Sequence, residues 1–240
     1  MSNISLKCNE ILATLQSLAN PEKVKLKQHK FGIRANHSLG IYHQNLKKIA
    51  ADIGYDNDLA LALFDSGIYE ARILCSKIYN PKNITEALME KWVCTFENWE
   101  ICDSFCMGFF AKSEFSLTKA LQWSRHEDEF VKRAGFVIMA SYGFANKKAA
   151  NATFEQFFPI IEDQADDERI YVKKAVNWAL RNIGKRNIDL HASAIVVARN
   201  MLHAKSKSAQ WIASNALKEF ANPQVNILNY PREIYRHKAN

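Results

Sequence analysis

The pentapeptide Phe130-Val131-Lys132-Arg133-Ala134 returns 41 residues later as Tyr171-Val172-Lys173-Lys174-Ala175, alike in kind at every position. A weaker echo stands at Tyr69-Glu70-Ala71-Arg72. A period of roughly 40 to 47 residues is that of paired-helix units of the HEAT or armadillo kind, each burying its apolar stripe on its neighbours. The expected fold is therefore all-α, a HEAT-like helical-repeat solenoid (an α–α superhelix), curved and with a basic concave face. Packing accounts for the apolar members of the repeat. It does not account for the cationic pair that both copies keep.

Hydrophobic spacing agrees with helices throughout. Leu61, Phe64 and Ile68, or Val131, Phe136 and Met139, recur at helical intervals, and alternating runs of the strand type are missing. The pattern predicts helices over 5–18, 21–31, 39–53, 57–66, 68–79, 85–96, 98–111, 116–124, 127–143, 150–164, 168–184, 188–203 and 206–221. Pro21 can open a helix, while Gly32, Gly54 and Gly67 can end one. Pro159 lies inside the segment 150–164, where its missing amide should kink or split the helix. Residues 1–221 read as a single repeat domain. Residues 222–240, with Pro223, Pro231, Arg232, Arg236 and Lys238, read as a loosely ordered basic tail.

Charge narrows the partners. The 240 residues carry 32 Lys and Arg against 25 Asp and Glu, a formal +7 with a pI near 9.1, which favours a polyanion, nucleic acid before membrane. Five cysteines without a C-x-x-C pair give neither a disulfide framework nor a thiolate zinc site, as expected of a reduced cytoplasm. The N-terminus lacks a secretory pattern, and no apolar run approaches the length of a membrane span. No H-x-x-x-H, H-E-x-x-H or Gly-rich phosphate loop occurs. Cys102 and Cys106, lacking basic neighbours, read as small core residues.

Two helices carry candidate chemistry. Lys174, Trp178, Arg181 and Lys185 fall at i, i+4, i+7 and i+11, a basic stripe with one aromatic, suited to phosphates and to a sugar or base. The same pattern also fits a solvated basic face with Trp178 packed inward. Trp99 and Asp103, at i and i+4, put an indole and a carboxylate on one face, able together to stabilise a cation. Breaking an N-glycosidic bond builds such charge on the sugar. Asp103 alone could equally be a surface or ion-paired residue. Its sequence neighbours Ile101, Cys102, Phe105, Cys106 and Phe109 form an apolar setting in which a carboxylate would need a partner or a purpose.

Taken in order, Ser38-Leu39-Gly40-Ile41, Ile68 to Leu74, Trp99 to Asp103, Phe130 to Phe136 and Val172 to Arg181 resemble the bacterial AlkD-type DNA alkylation repair glycosylases, over roughly residues 20–220. The resemblance implies a HEAT-like solenoid that removes positively charged N3- and N7-alkylated purines from duplex DNA, without drawing the base into a pocket. It implies that Trp99, Trp178 and Asp103 line the cleft beside the lesion's deoxyribose. By the same resemblance Arg133, or less closely Lys132, grips the backbone, and Arg181 and Lys185 add contacts. Phe31 stands nearest to a second-helix tyrosine that the family's glycosylases can carry, so an aromatic surface remains without its hydroxyl. No metal or organic cofactor is needed. The expected partner is alkylated double-stranded DNA, met by a monomer in the cytoplasm, with no membrane and no obligate protein partner. The family also includes relatives that bind DNA structures without base excision, and a protein-binding scaffold is a third use of such folds.

Overall fold

The computed structural model describes residues 3–237. The chain forms two compact units, Met1–Ser113 and Glu114–Asn240, where the sequence pattern reads as one domain. The first holds α1 (Asn3–Ser17), α2 (Pro21–Phe31), α3 (His43–Ile53), α4 (Asn57–Asp65), α5 (Tyr69–Ile78), α6 (Glu86–Val93) and α7 (Trp99–Gly108), then a 3-10 turn at Phe110–Lys112. The second holds α8 (Ser116–Trp123), α9 (Glu129–Ala145), α10 (Asn151–Glu155), α11 (Phe157–Asp163), α12 (Ile170–Gly184), α13 (Ile188–Leu202), α14 (Lys207–Phe220) and α15 (Arg232–Tyr235). No strand occurs among the described residues.

Local chemistry sets the helix ends. Asn20, Asp56, Thr85, Asn98, Asn187 and Ser206 cap helix N-termini through their side chains. Pro21 begins α2 and Gly32 ends it in the left-handed conformation. Pro159 falls in the first turn of α11, where an amide is unneeded, and the segment 150–164 splits into α10 and α11 as expected.

The segment predicted as helix from residue 39 enters α3 only at His43. The amides of Leu39, Gly40 and Ile41 instead donate to the fully buried carboxylate of Glu70, with the Ser38 hydroxyl, at 2.7 to 3.3 Å. Gly40 has φ +76°, and a Cβ there would lie 2.3 Å from the Asn20 carbonyl oxygen. Gly40→Ala is expected to cost about 2–4 kcal/mol, read as a lowered urea midpoint, because both the backbone conformation and the space exclude a side chain.

In the second unit the repeat becomes a contact register. Helix α8 packs on α9, α9 on α12, and α12 on α13 and α14. The two copies of the pentapeptide open α9 and α12, with the rings of Phe130 and Tyr171 5.5 Å apart. Asn182 donates to the carbonyl of Ala140, Arg169 to that of Glu127, and Ser208 to that of Asp167, each pair separated by one period. The buried guanidinium of Arg186 closes the end of α9 by donating to the carbonyls of Gly143, Asn146, Lys147 and Ala149. Burial brings its pKa down to about 10.

The basic pair of the first copy belongs to this packing. Lys132 meets Asp167 at 2.9 Å, and Arg169 meets the same carboxylate at 2.6 Å, with the Asp167 side chain 7% exposed. Burial pushes the Asp167 carboxyl up, but the Arg169 and Lys132 hydrogen bonds outweigh that and hold it at about 2, against an ordinary 3.8. A folded pKa below the unfolded one stabilises at neutral pH. That contribution is lost as pH falls from about 4 through about 2, by on the order of 1–2 kcal/mol after allowance for solvent screening. The urea midpoint of the wild type should therefore drop across this window more steeply than that of Asp167→Asn.

Past α14 the tail is tied down, contrary to the expectation for 222–240. The amides of Leu228 and Tyr230 donate to the carbonyls of Lys185 and Arg186, and Asn187 donates to the Tyr230 carbonyl. Tyr235 is buried and its hydroxyl donates to Asp189. Lys238 lies outside the described residues.

Candidate nucleic-acid interface

Helix α7 has two faces of opposite character. Ile101, Cys102, Phe105 and Cys106 are buried, Phe105 within an aromatic cluster with Phe64, Trp92, Phe96 and Phe109. Trp99 and Asp103, one turn apart on the other face, are half-buried. Ile101 and Phe105 thus lie on the far side of the helix from Asp103, with Cys102 and Cys106 buried between. Trp99 is pinned: its indole Nε1 donates to the carbonyl of Phe31 at 2.9 Å. The Phe31 ring itself is exposed at the end of α2.

Beneath this face sits a polar network that the sequence reading missed. The Asn98 side-chain oxygen accepts from the amides of Glu100 and Ile101 and from the Tyr69 hydroxyl, and its nitrogen donates to the Arg34 carbonyl. Glu100, buried, pairs with Lys27 at 3.0 Å and His43 at 3.3 Å and accepts from the Tyr69 hydroxyl at 3.0 Å. Burial alone would raise the Glu100 carboxyl, but His43 and Lys27 carry it below the usual range. Burial is the main force raising the Tyr69 hydroxyl, so Tyr69 acts as a neutral donor. The network ties α2, α3 and α5 to the first turn of α7, fixing the backbone that carries Trp99 and Asp103. The only signal in sequence was a Glu directly after the Trp.

On α12 the expected stripe exists, with different charge. Lys174 is exposed, and Trp178, Arg181 and Lys185 are half-buried. Glu219 of α14 takes Arg181 Nε on one carboxylate oxygen and Lys185 Nζ on the other, both at 2.6 Å. Asn215 accepts from Arg181 and from the buried Asn177. A phosphate arriving here meets Lys174 directly and competes with Glu219 for the other two cations. Neither Glu219 nor Asn215 stood out in sequence, since their pairing follows from packing between neighbouring repeats.

Lys132 and Arg133 are placed differently from the phosphate-gripping role that the resemblance implies. They are 9% and 6% exposed. Lys132 is held by Asp167, and Arg133 donates to the Tyr171 carbonyl at 2.7 Å. As folded, both cations serve the contact between α9 and α12, which explains why the first copy of the repeat keeps a basic pair. Of the second copy, Lys173 lies 5.2 Å from the Trp211 ring centroid and Lys174 faces solvent.

Among the described residues no group of three or more His, Cys, Asp or Glu could hold a metal ion, and no helix is long and apolar enough to cross a membrane.

Paired helices joined at a constant register, with a cation stripe on one helix and an indole–carboxylate pair on another, define a HEAT-like repeat protein. The fold matches a solved structure described as a new family of proteins related to the HEAT-like repeat DNA glycosylases with affinity for branched DNA structures, at a TM-score of 0.71 and 17% identity, over 88% of this chain and 94% of that one. The family model for DNA alkylation repair enzymes matches residues 11–220, and the chain belongs to that family. It is also similar to two uncharacterised proteins, Lin0241 of Listeria innocua (24% identical) and Lmo0209 of Listeria monocytogenes (23%), each over 190 residues that make up 78% of this chain and 83% of the relative.

Proposed function

We propose that this protein is a monofunctional DNA glycosylase that hydrolyses the N-glycosidic bond of positively charged N3- or N7-alkylated purines in duplex DNA, without drawing the base into a pocket. The observation that carries the proposal is the pairing on α7: an indole fixed by the Phe31 carbonyl and a half-buried carboxylate one turn beyond it. Membership of the DNA alkylation repair family supports the substrate class.

A cationic alkylpurine leaves as a neutral base, so little acid catalysis is required. What must be stabilised is the positive charge that develops on the deoxyribose as the bond to nitrogen breaks. The Asp103 carboxylate stabilises that charge and orients the water that adds to the sugar, and Trp99 packs on the deoxyribose; Trp178, on the stripe of α12, packs on a sugar or a base. Lys174, with Arg181 and Lys185 once they exchange Glu219 for phosphate, holds the backbone. The reaction needs no cofactor, and a monomer acting on DNA in the cytoplasm suffices.

A second reading, non-catalytic binding of DNA structures, is favoured by the burial of Arg133, which leaves the implied backbone grip unfilled in this conformation. The related solved protein is described by its affinity for branched DNA. The two readings separate on chromatography of the products from methylated duplex DNA. Free 7-methylguanine or 3-methyladenine above the level of spontaneous loss is expected. Binding without any free base would leave the second reading.

A further inference from the structure

The charge of the first unit is unevenly placed. Met1–Ser113 carries 13 Lys and Arg against 12 Asp and Glu, yet residues 20–48 alone hold seven of those cations and one acid, Glu22. The remainder of the unit is correspondingly acidic. Lys25, Lys30, Arg34, Lys47 and Lys48 are exposed, and among the described residues none has a carboxylate within ion-pair distance. Unneutralised like charge on so short a segment is unfavourable in the free protein and calls for an anionic partner.

Two observations tie this surface to the face carrying Trp99 and Asp103. Lys27, in the middle of α2, is anchored to Glu100 beneath Trp99, and the last residue of α2, Phe31, accepts the bond from the Trp99 indole. Lys23 and Lys30 lie at i−4 and i+3 from Lys27, on the same side of the helix, each beside an exposed ring: Lys23 on Tyr42 and Lys30 5.6 Å from the centroid of Phe31. On α5, Lys77 is pushed down in pKa by burial and then by the charge of Lys47, so a bound anion would relieve repulsion there as well.

We infer that the α2–α3 segment, residues 20–48, is a phosphate-binding arm that grips the DNA backbone beside the Trp99–Asp103 face, in addition to the stripe on α12. The inference rests on the DNA reading given under Proposed function. The arm reads no sequence, since lysines and an arginine on phosphates position a duplex without specifying it.

The test uses the full chain and a labelled duplex of about 30 base pairs, with affinity measured across a salt series. Lys30→Ala/Arg34→Ala and Lys47→Ala/Lys48→Ala should each lower the slope of log Kd against log salt by about 2 and weaken binding about tenfold or more at low salt. Thermal melting should stay unchanged, because all four side chains are exposed. Lys205→Ala/Lys207→Ala, two exposed cations at the start of α14, should leave the slope as it is. A wild type that binds with an unchanged slope in both arm variants overturns the arm alone, as does an equal loss in the α14 control. A wild type with no salt-dependent binding overturns the DNA reading too.

Discussion

Asp103→Asn should slow single-turnover release of 7-methylguanine or 3-methyladenine from duplex DNA by about 10²–10³-fold, the usual loss when one preorganised electrostatic group is removed from a transition state. The change keeps the size and shape of the side chain, removes the negative charge and turns one acceptor oxygen into an amide donor. Asp103 is half-buried on α7, on the side away from Phe105, and a thermal melt of the variant beside the wild type separates loss of rate from loss of fold. Affinity for undamaged duplex should stay within about twofold, because phosphate contacts dominate DNA binding and a carboxylate adds nothing to them. Loss of rate at constant affinity marks an interaction made only in the transition state. Equal release by wild type and variant would remove Asp103 from the chemistry.

Glu100→Ala is expected to destabilise the protein by about 3–5 kcal/mol, measured by urea unfolding. Truncating Glu100 strands Lys27, 8% exposed, without its carboxylate, and an uncompensated buried charge costs far more than the pair itself contributes. It also removes an acceptor from the Tyr69 hydroxyl. Adding Lys27→Met should recover more than half of the loss, since an apolar stem of similar length then fills the site. Glu100→Gln should sit between the two. The same variants should lower base release before they unfold the protein, because the network holds the turn that presents Trp99.

The helices were legible because their signals are local. Spacing of apolar residues, Pro21 at a start and Gly32 at an end fixed most boundaries to within a few residues, and Pro159 marked the split between α10 and α11. The repeat was legible too, since the stretches opening α9 and α12 must present the same groups to neighbours at the same register. What could not be read were interactions between residues far apart in the chain. The Glu70 carboxylate that unwinds 39–42 comes from some 30 residues away, Glu219 reaches Arg181 and Lys185 across helices, and the tail docks on the turn between α12 and α13. Lys132 and Arg133 carry the same lesson. A basic pair in a repeat reads as a binding surface, yet burial turns it into an inter-repeat clamp, and only Lys174 of the second copy faces solvent. At the candidate site, Trp99 and Asp103 were visible as an i, i+4 pair, whereas the Glu100 network that holds them was hidden in the third dimension.

A duplex bearing one 7-methylguanine at a defined position, incubated with excess wild-type protein and then treated with hot alkali, puts base excision itself to the test. Cleavage at that position, above both the protein-free control and the Asp103→Asn variant, is the expected result. A duplex that is fully bound by the wild type yet cleaved no more than the protein-free control would contradict the glycosylase reading.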